Sequence, residues 1–175
     1  MIWLGCGFYL PFIGLVSAQI RKVAHPAADT LSLTQLLAGT GLLIFISVPT
    51  ILWVTAAFRP DRAFETTQFM NDAAWIGLIA PFWPPAVQFL CVGVAAFVDK
   101  SVNPVFPRWL GYFSCWVALL VLGSTLLPFF KTGPFAWNGI IGFWVPAVAA
   151  GIFGLCMIYV LLKAIGRQHA EMNSA

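Results

Sequence analysis

Two small groups of side chains in this sequence are able to do chemistry, and most of the chain around them is apolar. The first group combines indole rings with amide groups: Trp75, Trp83, Gln88, Trp137 and Asn138. Because aromatic walls with a few polar groups suit an amphipathic small molecule, one interpretation of these residues is a ligand cavity. The other is that Trp75 and Trp137 are interfacial belt residues and that Trp83 packs inside the bundle. The second group is charged and is predicted to share one face of a membrane: Arg59, Arg62, Asp72 and Lys131.

The charged group has two interpretations. Its members act either as interfacial caps and ion pairs that hold loops in place, or as the rim of a mouth above the predicted cavity. In the first case each exposed pair contributes about 0–1 kcal/mol. In the second case the rim admits an amphipathic molecule to the tryptophan walls and to Gln88.

Most families of reactive site are missing from the sequence. There is no phosphate-binding loop, no G-x-S-x-G and no H-E-x-x-H. No Asp, Glu, Lys, Arg or His falls inside a predicted membrane span, although proton-coupled transporters usually need one. His25 and His169 are placed in a loop and in the tail, without a partner at metal-ligand spacing. We therefore predict no enzymatic activity, no catalytic residue, no bound metal and no cofactor.

Composition places the chain in a lipid bilayer. Its 175 residues are 61% hydrophobic and only 9% charged, with a mean hydropathy of +0.90. Soluble domains carry roughly 25% charged residues, so a soluble core could not cover this much apolar surface. The net charge of +3 is too small and too scattered for a nucleic-acid interface. The sequence predicts a single transmembrane domain over residues 1–175, with the bilayer as its surroundings.

The apolar stretches predict an all-α polytopic transmembrane bundle. A helix needs roughly 20 apolar residues to cross about 30 Å of hydrocarbon. Five stretches meet that requirement, and we place the spans at residues 2–20, 36–58, 73–98, 109–130 and 138–162.

Prolines interrupt the third span. Pro81, Pro84 and Pro85 lack N–H groups, so we expect the helix to be kinked or broken there. One interpretation is a kinked helix inside the bundle, with Gln88 bonded to a freed carbonyl or to a neighbouring helix. The other is a discontinuous helix that lines a ligand cavity, as in some transporters.

Loop charges predict the orientation of the chain. With five spans, six of the nine cations fall on one side: Arg21, Lys22, Lys100, Arg108, Lys163 and Arg167. The positive-inside rule makes that side cytoplasmic, which places the C-terminus inside and the N-terminus outside. Since an apolar run that begins directly at an outside N-terminus is unusual, we also hypothesise a further helix upstream of Met1.

Small residues on the fifth span indicate a possible protein partner. Ala147 with Gly151, and Ala150 with Gly154, are spaced so that another helix can approach closely. The leading hypothesis is a non-enzymatic accessory or packing component that binds a membrane helix or a second copy of itself. The alternative is a carrier of small molecules or lipids that uses the third span.

Several segments carry a resemblance that covers nearly the whole chain. They are Ser17-Ala18-Gln19-Ile20-Arg21, Ala57-Phe58-Arg59-Pro60-Asp61-Arg62, Asn71-Asp72-x-Ala74-Trp75, Pro81-Phe82-Trp83-Pro84-Pro85, Phe106-Pro107-Arg108-Trp109-Leu110-Gly111-Tyr112 and Phe130-Lys131-Thr132-Gly133-Pro134-Phe135-Ala136-Trp137-Asn138-Gly139. In these the chain resembles a group of small, uncharacterised bacterial multi-pass membrane proteins. The resemblance implies a bacterial inner membrane and an extra helix before Met1, and it implies no activity.

Overall fold

The computed structural model describes residues 2–59 and 61–174, and for residues 2–6 and 174 it describes the backbone alone. The helices are α1 (Ile2–Ile20), α2 (Ala28–Ala57), α3 (Phe64–Ile79), α4 (Trp83–Val98), α5 (Arg108–Leu122) and α6 (Val145–Ser174). A 3₁₀ helix (Gly123–Phe129) follows α5, and a π-helix (Ile140–Trp144) leads into α6. Within the described residues there is no strand, so the predicted all-α class is confirmed.

The bundle has the composition of a membrane protein. Four helical stretches are long and apolar enough to cross a bilayer: Ala28–Ala57, Phe64–Val98, Arg108–Phe129 and Ile140–Asn173. Large apolar side chains such as Leu37 and Leu155 are exposed on the outside, while Gln35 and Gln88 are buried inside. This distribution suits a solvent of acyl chains. The number of crossings stays a prediction.

The helices extend beyond the predicted spans. The second begins at Ala28 rather than at residue 36, and Asp29 in its first turn complements the helix dipole. Likewise α3 begins at Phe64, with Glu65 in its first turn. The last helix continues through residues 163–174, which contain good helix formers such as Ala, Arg, Gln and Glu. Hydropathy ends a span at the first charges, whereas backbone hydrogen bonding continues past them. Pro60 lies outside the described residues.

Two prolines begin a helix instead of interrupting one. The N–H of Ala80 bonds the carbonyl of Ile76 at 2.9 Å and closes α3. Pro84 and Pro85 then occupy the first turn of α4, where N–H groups have no intrahelical partner. The predicted third span is therefore divided into two consecutive helices, with residues 80–82 between them. A bend at this point stays a prediction.

The core of the bundle is formed by helices that pack closely against one another. Helix α2 packs against α1, α3 and α4, while α5 lies between α4 and α6. A Cβ at Gly111 would come within 3.0 Å of the Cβ of Ala96, so α4 and α5 approach closely. Val92, Val117 and Leu161 belong to the buried cluster that joins α4, α5 and α6.

The bundle has two ends, which we name after one residue each. The Asp99 end contains the turn at residues 21–27, the loop at residues 99–107 and the C-terminal half of α6. Arg167 of α6 donates a hydrogen bond to the carbonyl of Pro104 there, at 3.0 Å. The Lys131 end contains the loops at residues 58–63 and 130–139. Lys131 and Asp72 line one cavity at that end.

Candidate functional site

A small polar cavity lies in the interior of the bundle, between α1, α2, α4 and α6. Its volume is about 20 Å³. The hydroxyl of Tyr9 donates a hydrogen bond to Oε1 of Gln88 across this cavity, at 3.2 Å. Gln35 lines the same cavity and is 2% exposed. None of the described residues donates a hydrogen bond to its Oε1 atom, which is fully buried. We call this site the polar cavity.

The local sequence explains how the two amides reach the interior. Ser32, Gln35 and Gly39 recur at helical spacing along α2 and are all buried. A Cβ at Gly39 would overlap with Nε2 of Gln88 and with Ile13, so the absence of a side chain makes room for the Gln88 amide. Gln88 itself lies one turn after Pro84 on the buried face of α4.

The chemistry of the polar cavity favours a hydrogen-bond donor. A buried acceptor without a partner costs roughly 1–3 kcal/mol. A molecule that donates a hydrogen bond to Oε1 of Gln35 removes that cost. The volume of about 20 Å³ accommodates one water molecule or one hydroxyl or amine group, since a single water needs roughly 10–15 Å³.

A larger apolar cleft adjoins the polar cavity. It has a volume of about 500 Å³, which is within the range of small-molecule sites. The two share four wall residues, so they lie side by side: Tyr9, Phe12, Phe89 and Phe153. The remaining walls are Leu42, Leu43, Ile46, Phe82, Pro85, Ala150 and Gly154. We call this site the apolar cleft.

The small residues of α6 help to create the apolar cleft. Ala150 and Gly154 line it, and a Cβ at Gly154 would meet no atom within 4 Å. The rings of Phe89 and Phe153, which also line the cleft, pack edge to face with their centroids 4.6 Å apart. The ring contact holds the aromatic wall in place, and the small size of Ala150 and Gly154 leaves the space beside it open.

A third cavity, of about 370 Å³, lies at the Lys131 end. Asp72, Trp75, Lys131 and Trp137 are among its walls. The ring of Trp75 lies 5.1 Å from the rings of both Trp53 and Trp137. The indole N–H of Trp53 donates to Oδ1 of Asn71 at 3.2 Å. No lining residue is shared between this cavity and the apolar cleft.

The five predicted cavity residues are therefore not brought together at one site. Trp75 and Trp137 lie side by side at the Lys131 end, whereas Gln88 lines the polar cavity. Trp83 is 55% exposed and packs edge-on against Phe45, and Asn138 is exposed. The physical reason is their separation along the chain: Trp75 lies in α3 and Gln88 thirteen residues later in α4, and thirteen helical residues span about 20 Å.

The charged group is only partly assembled. Asp72 and Lys131 line the same cavity, while Arg59 is exposed in the loop before α3. One guanidinium nitrogen of Arg62 donates to the carbonyl of Thr55 at 3.4 Å, and its Nε atom is buried without a partner among the described residues. No two of the four form an ion pair in the part of the chain that the structure describes.

Sequence reasoning missed Tyr9, which donates a hydrogen bond to Gln88, and Gln35, which lines the same cavity. Tyr9 falls inside the first predicted span, and Gln35 falls one residue before the second. The available signal was the spacing of Ser32, Gln35 and Gly39, which places two polar groups and a glycine on one helix face.

Two further observations concern possible metal ligands and similarity to known proteins. Across residues 2–59 and 61–174, no three His, Cys, Asp or Glu side chains come together as a metal-binding group. No protein-family model matches the chain, and neither a curated protein nor a solved structure is similar to it. The geometry of the polar cavity and the apolar cleft is thus the basis for a functional proposal.

Proposed function

We propose that this membrane protein is a non-enzymatic binder and carrier of a lipophilic small molecule or lipid. One observation carries the proposal: a cleft of about 500 Å³ shares wall residues with a small cavity lined by Gln35, whose buried Oε1 atom has no described hydrogen-bond partner. An apolar pocket with a few convergent polar groups is the usual form of a small-molecule site. The predicted third span contributes one wall of the apolar cleft. The residues of that wall are Phe82, Pro85 and Phe89, at the start of α4.

The proposed binding mode divides the ligand between the two sites. Its apolar part fills the apolar cleft, where the Phe89 and Phe153 rings make van der Waals contact. Its polar group donates a hydrogen bond to Oε1 of Gln35, while Tyr9 holds Gln88 in position. A ligand without a donor leaves the Gln35 oxygen unpaired, so the site discriminates against plain hydrocarbons.

The cleft arm of the test uses two glycines of α6. Gly154→Leu places a side chain in the apolar cleft, and Gly151→Leu is the matched control on an exposed surface of the same helix. Neither new Cβ meets an atom within 4 Å, and leucine is a better helix former than glycine, so both variants are expected to fold. Lipophilic molecules that copurify in mild detergent are then quantified by mass spectrometry. We expect wild type and Gly151→Leu to retain the ligand and Gly154→Leu to lose it. Equal amounts in all three would refute the proposal.

The polar arm of the test separates binding from folding. Gln35→Met removes the unpaired oxygen with little change in volume, so the free energy of unfolding should stay the same or rise. The same change should reduce the retained ligand about tenfold, because it removes one buried hydrogen bond of about 1.4 kcal/mol. If stability falls and ligand retention does not change, Gln35 has a structural role only.

A second candidate function is the accessory or packing component. Ala147 and Gly151 are exposed on α6, and a Cβ at Gly151 would meet no atom of this chain, so this surface is open to another helix. Crosslinking or native mass spectrometry in mild detergent tests it. Loss of a complex in Gly151→Leu, with ligand retention unchanged, would favour this function over the carrier.

We also propose a location and an orientation. The location is the bacterial inner membrane, in line with the proposed membership of a group of small bacterial multi-pass proteins. The Asp99 end faces the cytoplasm, because it holds Arg21, Lys22, Lys163 and Arg167. A reporter that is active only in the cytoplasm, fused after Ala175, should therefore be active. Activity of a periplasmic reporter at the same position would reverse the orientation.

A further inference from the structure

A basic cleft lies at the Asp99 end, between α6 and the segment that leads into α5. Its volume is about 210 Å³. Its lining residues include two cations and no acid: Pro104, Val105, Pro107, Trp109, Tyr159, Val160, Lys163 and Arg167. The carboxylate of Asp99 is nearby in the fold, but it accepts hydrogen bonds from Ser101 and Val105 and does not line the cleft.

The two cations are positioned to act on one anion. Lys163 and Arg167 are four residues apart on α6, so they lie on the same helix face one turn apart. One nitrogen of Arg167 donates to the carbonyl of Pro104 at 3.0 Å, which orients the guanidinium beside the loop. A guanidinium has five N–H donors, so others stay available to an anion.

Aromatic side chains place the basic cleft at the level of lipid headgroups. Trp109 is 49% exposed and Tyr159 is 62% exposed, and both belong to its walls. Indole and phenol side chains concentrate where hydrocarbon meets water. Val105 and Val160 add an apolar surface between them.

We propose that the basic cleft binds the phosphate of an anionic phospholipid. Basic pockets between transmembrane helices recognise such headgroups. The exposed rings and the two valines give the first carbons of the acyl chains a surface to contact. The N-terminal turn of α5 borders the cleft through Trp109 and adds the positive end of a helix dipole. Free inorganic phosphate shares the charge but makes none of the apolar contacts.

The test titrates detergent-solubilised full-length protein with two lipids and follows binding by native mass spectrometry. The probes are dioleoylphosphatidylglycerol and dioleoylphosphatidylcholine. We expect wild type to prefer the anionic lipid, and Lys163→Gln to lower the affinity for that lipid about fivefold. Affinity for the zwitterionic lipid should not change. Lys131→Gln at the opposite end removes the same charge and serves as the matched control, with no expected effect on the preference.

Three outcomes would overturn this proposal. They are equal binding of both lipids by wild type, an equal loss of preference in Lys131→Gln, and displacement of the anionic lipid by inorganic phosphate. Arg167→Gln is a second variant that should act in the same direction as Lys163→Gln. Gly154→Leu should leave the lipid preference unchanged, so the failure of this proposal and the failure of the carrier function are distinguishable.

Discussion

The two ends of the bundle are held together by different interactions. At the Asp99 end, polar side chains join segments that are far apart in the chain. Gln19 of α1 and Gln168 of α6 exchange amide hydrogen bonds at 2.8 and 3.3 Å. At the Lys131 end, a cluster of aromatic rings joins the segments, with Trp75 in contact with Trp53, Trp137 and Phe143, and one hydrogen bond from Trp53 to Asn71 accompanies it.

A buried carboxylate is the centre of the Asp99 end. Asp99 is 6% exposed and accepts hydrogen bonds from the hydroxyl and N–H of Ser101, at 2.7 and 3.0 Å, and from the N–H of Val105 at 3.2 Å. Burial raises the pKa of this carboxyl, but bonds from Ser101, Val105 and the backbone of Ala24 outweigh it and lower the pKa below its usual value. Asp99 therefore joins the loop before α5 to the turn before α2.

The difference between the two ends shows which interactions can hold the helices of a membrane bundle together. Because lipid tails are as apolar as leucine, apolar burial alone gives helices little reason to associate in the hydrocarbon. Directional hydrogen bonds at one end and ring contacts at the other supply specific attraction. We expect a hydrogen-bonded loop to lose most of its stability when one hydrogen-bonding group is removed. A ring cluster should lose stability in proportion to the number of ring contacts removed.

Asp99→Ala should have the largest effect on stability. It leaves the N–H groups of Ser101 and Val105 without their acceptor and removes a charge-assisted bond from a buried site. We expect the free energy of unfolding to fall by about 3 kcal/mol, measured by denaturant titration in mixed micelles. Asp72→Ala, at an exposed carboxylate of the opposite end, is the control and should cost less than about 0.5 kcal/mol. Similar losses in both variants would contradict a special role for the Asp99 end.

Trp75→Ala should have the next largest effect. It removes three ring contacts, each contributing roughly 0.5–1.5 kcal/mol, and we expect a total loss of about 2 kcal/mol. Trp75→Phe should recover about half of that loss, because a smaller ring keeps some contacts. Trp116→Ala is the matched control, since that indole is 59% exposed on the outside of the bundle. A complete loss of folding in Trp75→Phe would show that the Lys131 end depends on a single side chain, as the Asp99 end does.

Acid should weaken the Asp99 end through the same carboxylate. A group whose pKa is lowered by folding contributes stability that is fully present above its unfolded pKa, about 3.9. That contribution is lost as the pH falls through the lower pKa of the folded state. We expect the free energy of unfolding to decline below about pH 4 in wild type. In Asp99→Asn the decline should be shallower, and an unchanged slope would assign the acid sensitivity to another carboxyl.

The sequence predicted features that depend on neighbouring residues in the chain, and it did not predict contacts between residues that are far apart in the chain. Long apolar stretches predicted the all-α class. The prolines predicted a kink or break in the third span, whereas their position in the first turn of α4 came from the structure. Gln88 was recognised as an interior polar group, yet its partner Tyr9 lies 79 residues away and no spacing rule connects them. Gln35 was missed because hydropathy began the second span at residue 36, whereas α2 begins at Ala28. Contacts between helices depend on how the bundle is assembled, which a single sequence does not encode in any local pattern.

The smallest effect should come from the exposed ion pair at the Asp99 end. Nε of Arg21 lies 3.6 Å from Oδ1 of Asp29, and the two side chains are 56% and 82% exposed. Solvent screens such a pair, so Asp29→Asn should change the free energy of unfolding by less than about 1 kcal/mol, and by less still at high salt. The measurement is the same titration in mixed micelles at low and high ionic strength. Because Asp29 and Asp99 belong to the same end, a loss comparable to that of Asp99→Ala would mean that charge, and not a buried hydrogen-bonded acceptor, distinguishes this end from the other.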